Sequence, residues 1–395
     1  MDRENIRKLY RWGEQRKSSF AINKSKFPRE CNEYKKLLKN IIIECKKLSG
    51  NWSINCFLRG YLIENSLPTI VIVYESMPNN WKKPFTGSIP LEMIKGNVSR
   101  CRNMYEKKPC NSSCIGLKNN NSCGSFGGYL REKTSGIIYG LTCGHVVNLD
   151  DKKLDSTLEL YQPAPYHVKQ QKKRLEEQEN EANEQKYAKD NIKQIQIKNK
   201  NLNNLVEKSK FGKIIKGEVC IPINTSYNDI NSVYDWALIK FDNNNYERIG
   251  TNLFSNNPYF MDKNYNVFQP KVCSIEDCIK VWHSGHISTS SEKIIRVGKI
   301  NGLYSICFIK GLESSEKAVL PESVEYNIVN DGDSGAWFMC KDGICGVITG
   351  KSSGDHTICA YISDFQRILD RIKDYGYDLE LLTEESILVK LFDEN

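Results

Sequence analysis

The chain has 395 residues, a formal net charge of +8 and 39% hydrophobic residues, enough for two or three domains with cores of their own. No apolar leader follows Met1-Asp2-Arg3-Glu4-Asn5 and no run is long enough to span a membrane, so the expectation is an intracellular, cytoplasmic protein without a membrane partner. Fifteen cysteines, an odd number in such a chain, read as thiols rather than as a disulfide framework.

Residues 1–110 read as a small α/β domain. Glu30–Leu48 carries Leu37, Leu38, Ile41, Ile42 and Cys45 on one helical stripe. Ile54–Leu62 and Thr69–Tyr74 read as strands, and Ile89–Arg100 as a second helix. This part has no histidine and no catalytic constellation, so it is expected to serve recognition or scaffolding, or simply to complete the fold. Residues 111–123 read as a linker.

Strand-like stretches then begin at Gly124–Leu130, turn at Lys133-Thr134-Ser135-Gly136 and continue through Ile137–Leu141. From His167 to Phe211 there is no glycine or proline, and Gln, Lys, Glu and Asn dominate, as in a solvated helix. Its apolar residues are too sparse for a long coiled coil. A straight helix of that length would run about 60 Å, and its far end could not rejoin the strands that follow. The segment is therefore expected to fold back on itself within Asn180–Asn191, or else to be partly disordered. Lys169–Lys210 holds 11 Lys/Arg against 7 Asp/Glu, too weak an excess for a nucleic-acid partner without a base-reading motif. Later stretches include Val297–Gly302, Leu303–Ile309, Ala336–Met339, Ile344–Thr349 and Thr357–Ile362. Asp364–Tyr375 is amphipathic, with Phe365, Ile368, Leu369 and Ile372 on one face, and residues 376–395 form an acidic tail.

Three motifs carry chemistry. An apolar strand ends in Thr142-Cys143-Gly144-His145. A strand apolar on both faces opens at Asp235-Trp236-Ala237-Leu238-Ile239. A buried carboxylate at such a place needs a partner, and an imidazole N–H is a good one. Asn330-Asp331-Gly332-Asp333-Ser334-Gly335 sets a serine among turn-permitting residues just before an apolar run. His145, Asp235 and Ser334 match a base, its orienting acid and a nucleophile. The amides of Gly332 and Ser334 match an oxyanion hole.

With these motifs in the order His, Asp, Ser, the sequence over roughly residues 112–375 resembles the chymotrypsin/trypsin-like serine proteases. The resemblance implies a mainly β fold, a trypsin-like double β-barrel over 124–375 interrupted by the charged helical insertion at about 167–211. It implies a serine endopeptidase acting on protein or peptide substrates, with no metal or organic cofactor. The pocket for the residue before the scissile bond would involve Ile328, Thr349, Gly350 and Thr357. Ile328 and Val329 stand where an acid would select Lys or Arg, so basic residues are not the expected preference. The resemblance also implies a hydrogen bond from Thr349 to Asp235. No apolar amino-terminal activation sequence precedes Gly124, so Asp333 is expected to find another partner or stay solvated.

Two cysteine groups offer zinc-like ligand counts: Cys101, Cys110, Cys114 and Cys123, and Cys273, Cys278, His283 and His286. The second lies in what reads as a strand and turn, and no metal is assigned to either. Cys340 and Cys345 flank the turn Lys341-Asp342-Gly343 and read as reduced cross-strand neighbours. Competing readings are a catalytically inactive protease-like scaffold and an RNA-associated protein acting through the insertion. The N-terminal domain and the insertion are the expected docking places for a protein partner.

Overall fold

The computed structural model describes residues 18–382 apart from 61–62, 79–80, 100–111, 119–122, 150–157, 185–195, 198–199, 201–208, 221–232, 243–251, 253–270, 278, 287–292, 310, 323–326 and 355–356. The protein is mainly β, with two sheets. In chain order, the N-terminal part holds β1 (Ser18–Phe20), α1 (Pro28–Cys45), β2 (Ser49–Gly60), β3 (Leu67–Ser76), β4 (Leu91–Lys95) and β5 (Asn97–Ser99). The first sheet follows with β6 (Ser113–Leu117), β7 (Gly124–Phe126), β8 (Gly128–Glu132), β9 (Ile138–Thr142) and β10 (Glu159–Tyr161). Helix α2 (Pro165–Glu184) separates these from β11 (Lys210–Cys220) and β12 (Tyr234–Phe241). The second sheet takes β13 (Lys271–Val272), β14 (Lys280–His286), β15 (Lys293–Ile309), β16 (Leu312–Pro321), β17 (Trp337–Cys340), β18 (Gly343–Ser353) and β19 (Thr357–Asp364). The chain then forms α3 (Phe365–Asp374) and returns to the first sheet as β20 (Leu379–Leu381).

The first sheet runs β20-β8-β9-β12-β11-β10-β6-β7. Residues 113–117, expected as linker, are its strand β6, buried and antiparallel to β7. Ser112–Leu117 is a short apolar run with Cys114 and Ile115 inward, and the polar residues around it hide that pattern. The tail is not all loose either: Leu379 and Leu381 alternate inward and pair β20 with β8. Residues 383–395 lie outside the described residues.

The second sheet closes on itself. β14 pairs with both β17 and β15, and the ring is completed through β18, β19 and β16. Val297–Gly302 and Leu303–Ile309 are one strand, β15, with a register shift between Ile300 and Tyr304 where the two stretches meet. A shift of this kind bends a strand. The far half of β15 then pairs with β2, and the sheet continues through β3 and β4. The N-terminal elements thus extend the second sheet. Ile89–Arg100 is not a helix: β4 lies parallel to β3, and Leu91 and Met93 pack on one apolar cluster while Ile94 packs on another. That is the two-residue alternation of a strand. Helix α1 matches its stripe, burying Cys31, Tyr34, Ile41 and Cys45 against β2 and β3.

The charged insertion sits on a hairpin. β10 and β11, on either side of it, are antiparallel neighbours, with Leu160 opposite Gly212. Gln196 Nε2 donates to Glu179 Oε1 at 3.1 Å, which brings the chain back beside α2. Residues 185–195, which include most of the expected turn, lie outside the described residues. Helix α3 starts on Asp364, whose side chain accepts the Arg367 N–H at 3.2 Å. It buries Phe365, Ile368, Leu369 and Ile372 in a core shared with Trp236, Trp282 and Trp337 from both sheets.

Asn301 ties the N-terminal extension to β15. Its Oδ1 accepts the Ile22 N–H at 2.9 Å, and its Nδ2 donates to Cys56 O and Leu303 O at 3.2 and 3.0 Å, all without solvent access. Asn301→Leu removes these three hydrogen bonds from buried backbone groups. It is expected to lower unfolding free energy by about 2–4 kcal/mol in a urea titration. A loss within 0.5 kcal/mol of zero would show that this link is energetically idle.

Candidate active site

His145 is delivered by the turn Gly144–Val147, which follows the end of β9. Asp235 is the second residue of β12, and β12 pairs with β9 so that Ala237 lies opposite Thr142. Strand pairing alone therefore brings the two motifs together. The Asp235 carboxylate is fully buried, and both oxygens are used on one residue. Oδ1 accepts the His145 backbone N–H at 3.0 Å, and Oδ2 lies 2.6 Å from His145 Nδ1. The first bond fixes the loop, and the second fixes the ring and directs the Nδ1 proton toward the acid. Nε2 is thereby left as the basic nitrogen.

Ser334 reaches the same seam from the second sheet. Its turn is held by a residue that sequence reasoning missed. Ser125, on β7, donates its N–H to Ser334 O at 2.7 Å and its hydroxyl to Gly332 O at 2.6 Å. Thr142 Oγ1 in turn donates to Ser125 O at 2.8 Å. On the other side, Gly335 N–H donates to Ile348 O at 2.8 Å, and Cys143 Sγ donates to the same carbonyl at 3.2 Å. The motif cysteine beside His145 is therefore a tie between the sheets. Gly332 has φ +106° and Gly335 φ +95°, conformations that favour glycine. A Cβ on Gly335 would also lie 2.3 Å from Ser125 O. Only the small, polar sequence Gly124-Ser125 hinted at this role, and such dipeptides are common in loops.

Asp333 is buried, not solvated. Its Oδ2 accepts the Asn330 N–H at 2.7 Å, a local partner inside the same turn. Thr349 does not donate to Asp235; its hydroxyl donates to Tyr361 O at 3.3 Å. The β18–β19 register shifts between Ile348 and Gly350, which turns Thr349 toward that strand. Thr349 and Gly350 line a small pocket of about 20 Å³ together with Asp235 and Glu316. Ile328 is elsewhere: it is buried in the core of the second sheet with Val281, Val329 and Phe338. Thr357 opens β19 opposite Ser353.

The metal candidates separate. Cys114 and Cys123 are buried together, while Cys101 and Cys110 lie outside the described residues. His283 is turned inward, with Nε2 2.6 Å from Ile328 O, away from the half-exposed Cys273. Cys278 and the His286 side chain are also outside the described residues. Among the described residues the one ligand-like group is Cys143, His145 and Asp235, within 4.8 Å of one another. Their atoms are already engaged in the bonds above. No disulfide joins any described cysteine.

A profile of peptidase family S64 matches residues 101–374, more than two thirds of the chain. The chain belongs to peptidase family S64. Membership of a peptidase family gives it protein or peptide substrates. No curated protein sequence matches it. Among solved structures it is similar to a glutamic acid-specific serine protease with a histidine triad in substrate binding, at 13% identity and TM-score 0.35, over 69% of this chain and 100% of that one. Thermobifida fusca protease A matches at 10% identity and TM-score 0.34, over 69% and 98%. Cellulomonas bogoriensis chymotrypsin matches at 14% and 0.33, over 69% and 98%. No helix among the described residues is long and apolar enough to cross a membrane.

Glu316 stands behind this candidate site. It is almost fully buried on β16, and its Oε1 accepts the N–H of Val233, two residues before Asp235, at 3.0 Å. Burial pushes its carboxyl from the ordinary 4.5 up to about 8; the Val233 N–H, Ser314 and Arg367 pull the other way, and Asp235 adds to the rise. Between these two values the folded protein keeps a proton that the unfolded chain releases. Stability attributable to Glu316 therefore falls as pH rises from about 4.5 and levels off above about 8. Glu316→Gln removes this dependence. Its stability relative to the parent is expected to rise by a few kcal/mol (on the order of 1.4 per pKa unit) between pH 4 and pH 9 in urea unfolding. A pH-independent difference would contradict a neutral Glu316.

Proposed function

We propose that this chain is a serine endopeptidase of chymotrypsin-like type, built on two packed β-barrels, with His145, Asp235 and Ser334 as its catalytic triad. The observation that carries this reading is the doubly anchored His145–Asp235 pair, set at the seam where the Ser334 turn is clamped by Ser125. A buried carboxylate that spends both oxygens on one histidine is an orienting acid. His145 Nε2 takes the Ser334 proton as Oγ attacks the substrate carbonyl. Asp235 stabilises the imidazolium that forms and remains ionised. The amides of Gly332 and Ser334 stabilise the oxyanion. Collapse of the tetrahedral intermediate transfers the proton from His145 to the leaving amine and leaves an acyl-enzyme on Ser334. Water, activated by the same imidazole, then releases the acid product and restores the serine. The substrate groove runs between the Asn330–Gly332 turn and the Thr349–Lys351 stretch of β18. Glu316 fixes the start of the Asp235 strand from below. The inserted helix and the N-terminal extension lie in elements outside the triad and are the surfaces for protein partners.

A fluorophosphonate probe tests this. The parent protein is expected to be labelled at Ser334, and Ser334→Ala to lose all labelling. Asp235→Asn is expected to fold and to lose about 10³–10⁴-fold in peptide hydrolysis, because the histidine would hold the wrong tautomer. Absence of labelling between pH 6 and 9 in well-folded protein would favour the non-catalytic scaffold.

A further inference from the structure

Asp331, in the turn before Ser334, and Lys351, on β18, form an ion pair. Asp331 precedes Gly332, whose amide belongs to the proposed oxyanion hole. Lys351 lies three residues beyond Ile348, the residue whose carbonyl holds Gly335. Lys351 Nζ is 3.1 Å from Asp331 Oδ1. The two partners are unequal: the Lys351 side chain is 12% exposed and that of Asp331 69% exposed. A cation largely removed from water is thus met, among the described residues, by a carboxylate that stands mostly in water.

That asymmetry has an energetic meaning. A buried ammonium must keep an anionic partner, because leaving it alone is costly. Lys351 is held in place along its strand, where it lies opposite Ala360 on β19 and Ser99 on β5. Asp331 has far less to hold it; of the two charges it is the one that solvent can carry away. A second carboxylate arriving from solvent can replace it without change in the net charge around Lys351. A substrate ammonium or guanidinium placed there meets repulsion, and a neutral amide offers a weaker bond than a carboxylate.

We propose that Lys351 is a specificity-determining residue that binds an acidic side chain, Glu or Asp, at the substrate position before the scissile bond, with Asp331 occupying the site in the resting protein. This inference rests on the serine endopeptidase reading for the location of the groove. The Asp331–Lys351 pair crosses from one wall of the groove to the other, so binding exchanges one carboxylate for another at a fixed cation. Removing the Asp331 charge takes away the internal competitor.

The test compares peptides that differ only as Glu or Gln before the scissile bond. The parent is expected to cleave the Glu peptide at least tenfold faster in kcat/KM. Lys351→Met is expected to bring that ratio to about one, and Lys351→Glu to shift preference toward a Lys peptide. Asp331→Asn is expected to lower KM for the Glu peptide severalfold. Each ratio is taken within one protein, so a general loss of activity does not imitate the effect. A second measurement is independent of turnover: calorimetric binding of the same peptides to Ser334→Ala protein, with and without Lys351→Met. Tighter binding of the Glu peptide that is lost with Lys351 supports the site even if Ser334 fails to react with fluorophosphonate, an outcome that would sink only the catalytic reading. Equal binding and cleavage of the Glu and Gln peptides, or a Glu preference that survives Lys351→Met, overturns the proposal.

Discussion

The arrangement depends on hydrogen bonds that cross from one sheet to the other at Ser125 and Ile348. Ser125 contributes an amide and a hydroxyl to the two carbonyls that flank Asp333, and the Ile348 carbonyl gathers Gly335 and Cys143. These ties lie among buried groups, where an unmade hydrogen bond is costly, so the turn has little freedom to drift. His145 and Asp235 belong to one sheet and Ser334 to the other. Their mutual position therefore depends on this seam more than on the interior of either sheet. The shared core of Trp236, Trp282, Trp337 and α3 supports the seam with apolar contact, and the polar ties give it direction.

The second sheet carries two loads. Half of β15 closes a ring through β14 and β16, while its far end offers an edge to β2. An uncovered edge of this length would be a template for unwanted pairing. The N-terminal strands cover it, and α1 then covers them. The N-terminal part is consequently bound to the rest of the second sheet by main-chain hydrogen bonds and by the Asn301 contacts, a tighter relation than a tethered module has.

How much of this was readable from residues alone varies with the range of the determining contact. The His145 and Asp235 motifs were legible because strongly apolar strands lead into or out of them. Helices α1 and α3 were legible because their stripes repeat at helical spacing. Ile89–Arg100 was misread because Leu91, Met93 and Ile94 satisfy either period over so short a run, and only pairing with β3 decides. β6 was hidden because five residues among Asn, Ser and Lys do not make a pattern. Ser125 was invisible as the clamp of the Ser334 turn, since the carbonyls that it holds there are more than 200 positions away. Thr349 was assigned the wrong acceptor because a register shift in β18 turns its hydroxyl, and such shifts leave no mark in composition. Ile328 lies in the core of the second sheet, a placement set by packing against Val281 and Phe338 from distant strands that its own neighbours in the chain do not reveal.

The placement of the charged insertion has a consequence for how this protein can change over time. Its two ends are joined by the β10–β11 ladder, so they remain adjacent whatever lies between them. Closing a longer loop at such a point costs only about 0.6 kcal/mol for each doubling of its length. The hairpin is therefore a port: segments can grow, shrink or be exchanged there while the seam that holds the Ser334 turn stays as it is. The insertion and the seam can then evolve at different rates within one polypeptide, because they answer to different parts of the same sheet.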